Sequence, residues 1–397
     1  MNILVFTTLY PNNVWPQHGI FVKERMTNFS RHSGCMLKVV APVPYYPPIN
    51  CGWRQSYSQI KKYEIIEDIE VYHPRYLMTP KYGMFSYGLM MFLSVLPSFQ
   101  KLCRQFHFDL IDAHYVYPDG FAALLFGGYC RKPVVISARG SDINLYQEFP
   151  IIRSLLRYTV SRADKVITVS KALKEEMGRL PVPLDNIAVI PNGVDLDKFF
   201  PLSKDDARRR VDIPSNKRVI LYVGRLEPIK GVDLLLRALK ILVQELNQKD
   251  SHLVLVGEGS GRDELEQLTY TLKLSDRVWF ADTVAHRDLH IWYSAADVSC
   301  LVSSSEGCPN VILESLACGT PVVATAVGGI PEIISSDRVG ILAERDEREI
   351  ACALRSALTK SWRPDDMVAF AHKHSWDNVS LSIFDVFKTV IDKKNLQ

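Results

Sequence analysis

Two loops carry most of the chemistry this chain can offer. In VGRLEPIKG a β-branched run ends at Gly224, and Arg225 and Lys230 follow five positions apart before the helical pattern DLLLRALKILVQEL. Arginine presents a planar fork of donors and lysine a compact positive point, a pair suited to the oxygens of a diphosphate. In SSSEGCPNVILESLACGTPVV, residues 303–323, Glu306 and Gly307 lead into a helix that begins near Pro309, a favoured first helical residue. Free backbone groups around Cys308, Pro309, Asn310 and Val311 then suit sugar hydroxyls or phosphate. Glu314 stands eight positions past Glu306, about 80° round by the helical period and close to the same face. Carboxylates repel phosphate and accept paired hydrogen bonds from vicinal hydroxyls. The division that follows gives the phosphates to Arg225 and Lys230 and one diol to each glutamate.

The first half of the chain has fewer chemical groups, and each is ambiguous alone. PNNVWPQHGIFVKERM places Gly19 between the first strand and a helix, where glycine lets a ligand come close to the backbone. DLIDAHYVYPDG sets His114 at a strand end, with Asp119 and Gly120 behind it, and a lone histidine there is more often structural. VGEGSGRDELE resembles a dinucleotide fingerprint, but Arg262 stands where the last glycine belongs and no acidic ribose ligand is clearly placed. Gly257 and Gly259 therefore read as a tight strand-helix turn near a nucleobase, and not as a dinucleotide site.

The elements that must hold these groups follow from length and patterning. At 397 residues, with 47% apolar and 23% charged residues, the chain has the composition of a folded globular protein and the length of two domains. Short β-branched runs alternate with helical patterns throughout, which predicts parallel α/β sheets. We expect two Rossmann-like domains facing a cleft: residues 1–195, and residues 196–376, with a final helix over about 377–397 packing back on the first. The polar, proline-punctuated stretch 195–217 reads as the linker. In such sheets ligands bind beyond the C-terminal strand ends, where nearly all the candidates above lie.

Composition also excludes several classes. The eight cysteines show no ligand spacing, so no metal site is expected and reduced thiols in a cytoplasmic protein are. The first residues lack a basic leader, and no run reaches the roughly 18 apolar residues of a membrane span; the nearest is MFSYGLMMFLSVLP at 84–97. Residues 1–190 hold 21 Lys and Arg against 14 Asp and Glu, a basic excess too diffuse for a nucleic-acid module. An anionic membrane surface or acceptor fits that excess better, and a merely solvated basic face fits it equally.

VGRLEPIKG, EGCPNVILE and AVGGIPEII, in this order and spacing, resemble the retaining nucleotide-sugar glycosyltransferases of family 4, which have the GT-B fold. The resemblance runs over essentially the whole chain. It implies a donor held by the second domain: Arg225 and Lys230 on the diphosphate, Glu314 on the ribose diol, Glu306 on the transferred sugar. It also implies Gly19 near the donor diphosphate, His114 beside the reacting sugar, no cofactor and no essential metal. VVISARGSDIN matches the family's His-Gly-x-Asp-like loop with Arg139 in place of the histidine, as in members that assemble exopolysaccharide and teichuronic acid. Arg139, Asp142 and Asp119 become candidate contacts to acceptor or sugar.

The acceptor implied is a glycan or a polyprenyl-linked sugar, with possible docking at the inner face of the cell membrane. YYPPINCGWRQSYSQIKKY and YGMFSYGLMMFLSVLPSF suit such docking and suit core packing equally. An epimerase of the same fold is the main alternative, and a binding protein without activity is a third. Neither accounts as well for the Arg, Lys and paired glutamate set.

Overall fold

The computed structural model describes residues 1–47, 54–78 and 81–396, so part of the tyrosine-rich segment 45–63, including Cys51, lies outside the described residues. Two compact units are present: Met1–Asn192 together with Trp376–Gln397, and Gly193–Ser375. The seven described cysteines are free.

The first unit is built on eight strands: Asn2–Phe6 (β1), Met36–Val40 (β2), Tyr63–Ile66 (β3), Ile69–Tyr72 (β4), Leu110–His114 (β5), Val134–Ala138 (β6), Lys165–Thr168 (β7) and Ile187–Val189 (β8). Their order is β8-β7-β6-β5-β1-β2-β4-β3, parallel except for β3, which runs antiparallel to β4. β1 pairs with β2 on one side and β5 on the other, so the chain order reverses beside β1. Ile3, Leu4, Val5 and Phe6 are fully buried, as expected for a parallel strand covered on both faces.

The second unit repeats the architecture with six parallel strands: Arg218–Val223 (β9), Ser251–Val256 (β10), Val278–Ala281 (β11), Val298–Leu301 (β12), Val322–Thr325 (β13) and Gly340–Ala343 (β14). Their order is β11-β10-β9-β12-β13-β14, which puts a second reversal between β9 and β12. Open parallel sheets gather ligands at such points, because loops on the two sides diverge and leave a crevice. The loops after β1, β5, β9 and β12 carry most of the candidate residues.

Within the second unit, packing brings the loops after β9 and β12 together. The helix Val232–Gln244 buries Leu235, Leu236, Leu239 and Leu242 completely, each contributing about 1.5–3 kcal/mol of burial. Gly231 precedes it at φ 68°, and a Cβ there would stand 2.5 Å from the Val302 carbonyl oxygen. Glycine at this position lets the loop after β9 lie directly on the loop after β12.

Three expectations meet the structure here. The stretch 195–217 contains a helix, Lys204–Arg210, so it is not a plain linker. Ser203 accepts a hydrogen bond from the Asp206 N–H, acids fill the first turn and arginines the last, and Arg208 pairs with Asp297 at 2.8 Å. The helix Trp376–Asn395 packs on Ile20–Ser33 within the first unit, with the Phe29 and Phe387 ring centroids 5.3 Å apart. The apolar segment near 84–97 forms the helix Tyr87–Gln105, which buries Met91, Val95, Phe99 and Leu102 and leaves Leu89 and Leu93 exposed. Among the described residues no helix is long and apolar enough to cross a membrane.

Candidate active site

In the second unit, Lys230 and Glu306 meet directly. The Lys230 Nζ lies 2.6 Å from Glu306 Oε1, which also accepts from the Ser303 hydroxyl at 2.7 Å. The division expected from sequence sets cations apart for phosphate and carboxylates for hydroxyls; here the lysine and the glutamate pair with each other. Glu306 lies in the loop before the helix, so the helical angle to Glu314 does not apply. Arg225 is exposed and makes no ion pair among the described residues; the Tyr222 hydroxyl holds its loop by donating to the Arg225 carbonyl at 2.7 Å.

The helix begins at Asn310, one residue past Pro309, and runs to Ala317. No side chain caps its N-terminus, and the Asn310 Oδ1 is buried without a partner. Gly307 and Cys308 lie in the loop ahead of it, and Val311 packs at the edge of the core. Glu314 points into the interior, 5% exposed, where its carboxylate accepts from His286 Nε2 at 3.0 Å and from the Tyr293 hydroxyl at 3.1 Å. A carboxylate offers about four acceptor positions, so two remain. Burial beside this carboxylate pushes the Tyr293 phenol well above its ordinary pKa.

Sequence patterns missed His286, Tyr293 and Ser303. None belongs to a spaced motif, and only Ser303, three residues before Glu306, offered a local signal. Gly328 in AVGGIPEII was quoted for resemblance alone. At φ 53°, its Cβ would fall 1.8 Å from the Glu306 carbonyl oxygen, so this glycine supports the Glu306 loop from beneath. The glycines of VGEGSGRDELE act similarly. A Cβ at Gly257 would lie 2.2 Å from the Gly224 oxygen and one at Gly259 2.4 Å from the Leu226 oxygen. They lock the loop after β10 onto the loop that carries Arg225.

In the first unit the candidates form an enclosed network. His114 is completely buried, with Nε2 3.2 Å from Asp112 Oδ2 and Nδ1 2.5 Å from an Arg139 Nη atom. Arginine can only donate, so Nδ1 accepts and the proton sits on Nε2 toward Asp112. Arg139 also donates to Asn192 at 3.0 Å and lies over the Phe21 ring. His114 is thus enclosed, and Arg139 is turned inward onto it. Asp142 accepts from the backbone N–H groups of Val116, Arg139 and Gly140, and Asp119 from the N–H and hydroxyl of Thr8. Both are fully buried and anchor these loops; burial raises the Asp119 carboxyl to about 7. Gly19, at φ 62°, is required because a Cβ would stand 2.3 Å from the Leu9 carbonyl carbon, so the glycine lets these two stretches of backbone pack together.

Burial holds the His114 imidazole down at about 4, helped by Arg139 and opposed by Asp112. A folded-state pKa below the unfolded value means stability present at neutral pH and lost as pH falls from about 6.5 toward 4, on the order of 3 kcal/mol. NMR of ring nitrogens should show a neutral Nε2–H tautomer at pH 7, and Arg139→Gln should raise the His114 pKa. A His114 that titrates near its ordinary value in the wild type contradicts this arrangement.

Two parallel-sheet units, each with its candidate loops at a reversal of strand order, define a two-domain Rossmann-like architecture, the GT-B fold. The chain aligns along its length with the Anabaena protein HepE, crystallised with UDP-glucose, at a TM-score of 0.73 and 18% identity, covering 98% of this chain and 99% of that one. Residues 56–198 match the profile of Glycosyltransferase Family 4 and residues 203–374 that of Glycosyl transferases group 1. An uncharacterized glycosyltransferase of Methanocaldococcus jannaschii is 30% identical over 349 residues, 84% of this chain and 88% of that protein. The Bacillus subtilis protein TuaC, provisionally assigned as a teichuronic acid biosynthesis glycosyltransferase, is 28% identical over 92% of this chain and 91% of its own length. The chain belongs to the group 1, family 4 glycosyltransferases and is a glycosyltransferase. Both sequence relatives are described as glycosyltransferases, and an epimerase activity draws no support from them.

Proposed function

We propose that the chain moves a hexose-type sugar, with retention of configuration and without a metal, from a UDP- or GDP-linked donor to a glycan or lipid-linked acceptor in cell-surface polysaccharide synthesis. The observation that carries the proposal is the arrangement at the second reversal: an exposed Arg225, Lys230 against Glu306, and the uncapped helix end with the unpartnered Asn310 oxygen. A nucleoside-diphosphate donor answers each of these groups. Its diphosphate takes Arg225 and draws Lys230 from Glu306, which frees Glu306 for the sugar hydroxyls. The ribose diol uses the acceptor positions left on Glu314.

As the anomeric carbon–oxygen bond breaks, its electron pair passes to the leaving phosphate oxygen, where Arg225 and Lys230 stabilise the growing charge more than the bound ground state. The acceptor oxygen attacks from the same face and its proton passes to a donor phosphate oxygen. His114, neutral and enclosed, supports the first-unit loops in this scheme and is not the base. HepE, with UDP-glucose, and TuaC, with its assigned polysaccharide, are the comparisons that favour this donor and acceptor class. Among the described residues no group of three or more His, Cys, Asp or Glu is placed to hold a metal. The exposed Leu89 and Leu93, with the basic excess of the first half, favour peripheral work at the inner membrane face.

The test is nucleotide release across UDP-, GDP- and ADP-sugars, with liposomes carrying a polyprenyl-linked sugar, in the presence of chelator. We expect release from one donor class only, acceptor-dependent, unchanged by chelator and accompanied by co-sedimentation of the protein with the liposomes. Donor epimerised without transfer would overturn the activity, loss in chelator the metal-free mechanism, and transfer without co-sedimentation the membrane docking.

A further inference from the structure

The sheet edge of the first unit and the helix Tyr87–Gln105 line a half-open cleft of about 430 Å³ that shares no residue with the candidate active site. That volume suits a small molecule. Val40, Val95, Phe99 and Leu102 line it, and all four are buried, so its floor is apolar. The remaining lining includes three cations, Lys62, Arg75 and Lys101.

Among the described residues none of these cations forms an ion pair. Arg75 donates one hydrogen bond, to the Ile60 carbonyl at 2.5 Å, while its Nη1 is buried with no partner. Burial accordingly lowers the pKa of this arginine. The carboxylates close by are already engaged. Glu70 takes Lys38 at 2.9 Å and the Tyr72 hydroxyl at 2.5 Å. Glu64 accepts from the Asn13 N–H at 3.2 Å; His73 Nδ1 donates to the Ala41 carbonyl, which leaves its buried Nε2 without a hydrogen-bond partner 3.2 Å from the Glu64 carboxylate.

Leaving a buried guanidinium N–H unpaired costs free energy, as does holding like charges around one hollow. A ligand anion removes both costs, and the floor requires that the anion carry an apolar body. We propose that this cleft binds a single-chain amphiphile with a phosphate or carboxylate head: the chain on Val40, Val95, Phe99 and Leu102, the head on Arg75, Lys62 and Lys101. The site stands independently of the sugar donor and acceptor. It gives the transferase a second, lipid-like ligand bound within the first unit.

Calorimetry of the full chain with dodecyl phosphate, kept below its micellar concentration, tests the site. We expect saturable one-to-one binding at least tenfold tighter than that of inorganic phosphate, which lacks the chain, or of dodecyl maltoside, which lacks the charge. The double variant Lys62→Glu/Lys101→Glu should weaken binding at least tenfold with the affinity for free donor nucleotide and the circular dichroism unchanged. Ser98→Trp, at an exposed lining position, should block the cleft without altering its charge. Maltoside binding as tight as the phosphate, unaltered binding by both variants, or no saturable binding would each overturn the proposal.

Discussion

Lys230→Ala is expected to lower transfer by roughly 10²–10³-fold, the usual cost of removing one preorganised group that meets charge developing on a leaving group. The loss should fall mainly on kcat, because the phosphate charge that Lys230 meets is greatest as the bond breaks. Lys230 also faces Glu306 at 2.6 Å, so its removal leaves that carboxylate held by Ser303 alone. A stranded carboxylate near the diphosphate is therefore a second route to inactivity. The double variant Lys230→Ala/Glu306→Gln separates the two, since it removes the stranded charge and still lacks the cation. We expect it to stay as inactive as the single variant. The pair is partly exposed, with side chains 21% and 11% accessible, so its loss should cost no more than about 1–2 kcal/mol of stability. Steady-state kinetics beside a thermal melt decides the matter, and wild-type product formation by the folded single variant would remove Lys230 from the mechanism.

Gly328→Ala should have the largest effect on stability. The residue is at φ 53°, and the added Cβ would lie 1.8 Å from the Glu306 carbonyl oxygen and 2.9 Å from its carbonyl carbon. Left-handed backbone costs an L-residue about 1–2 kcal/mol, and a clash with backbone cannot be relieved by a rotamer change, which adds about 1–3 kcal/mol. The sum of about 2–5 kcal/mol should lower Tm by on the order of 10 °C for a unit of this size. Because the strained neighbour is Glu306 itself, activity should fall beyond what partial unfolding explains. Calorimetry with kinetics well below Tm reads both, and a variant with unchanged Tm and kcat would show that the loop relaxes without cost.

The two units, the strand-loop-helix order and the loops that hold the candidate groups were legible because each is a local pattern. β-Branched runs, helical spacing such as that of Leu235, Leu239 and Leu242, and Pro309 before a helix act over a few residues. The helix at Lys204–Arg210 was legible too, in a serine followed by two acids and then three arginines, although proline on both sides made it read as linker.

The roles of individual polar groups were less accessible. Asp119 and Asp142 have the composition of sugar contacts and the environment of backbone anchors, and only burial distinguishes the two. Gly19 looks like a ligand loop in sequence, Gly257 like a tight turn and Gly328 like no more than part of a motif, yet each is demanded by another stretch of backbone lying within 2.5 Å of where a Cβ would be.

By itself the sequence determined which chemistries are available: a cation pair after one strand, two carboxylates after another, and parallel sheets to carry both. Only the tertiary structure decided who meets whom. Lys230 reaches Glu306 across 76 positions, His286 and Tyr293 reach Glu314 across 28 and 21, and Arg139 reaches His114 across 25. Strand order at the two reversals sets these meetings, and strand order is fixed by long-range burial that no local pattern encodes.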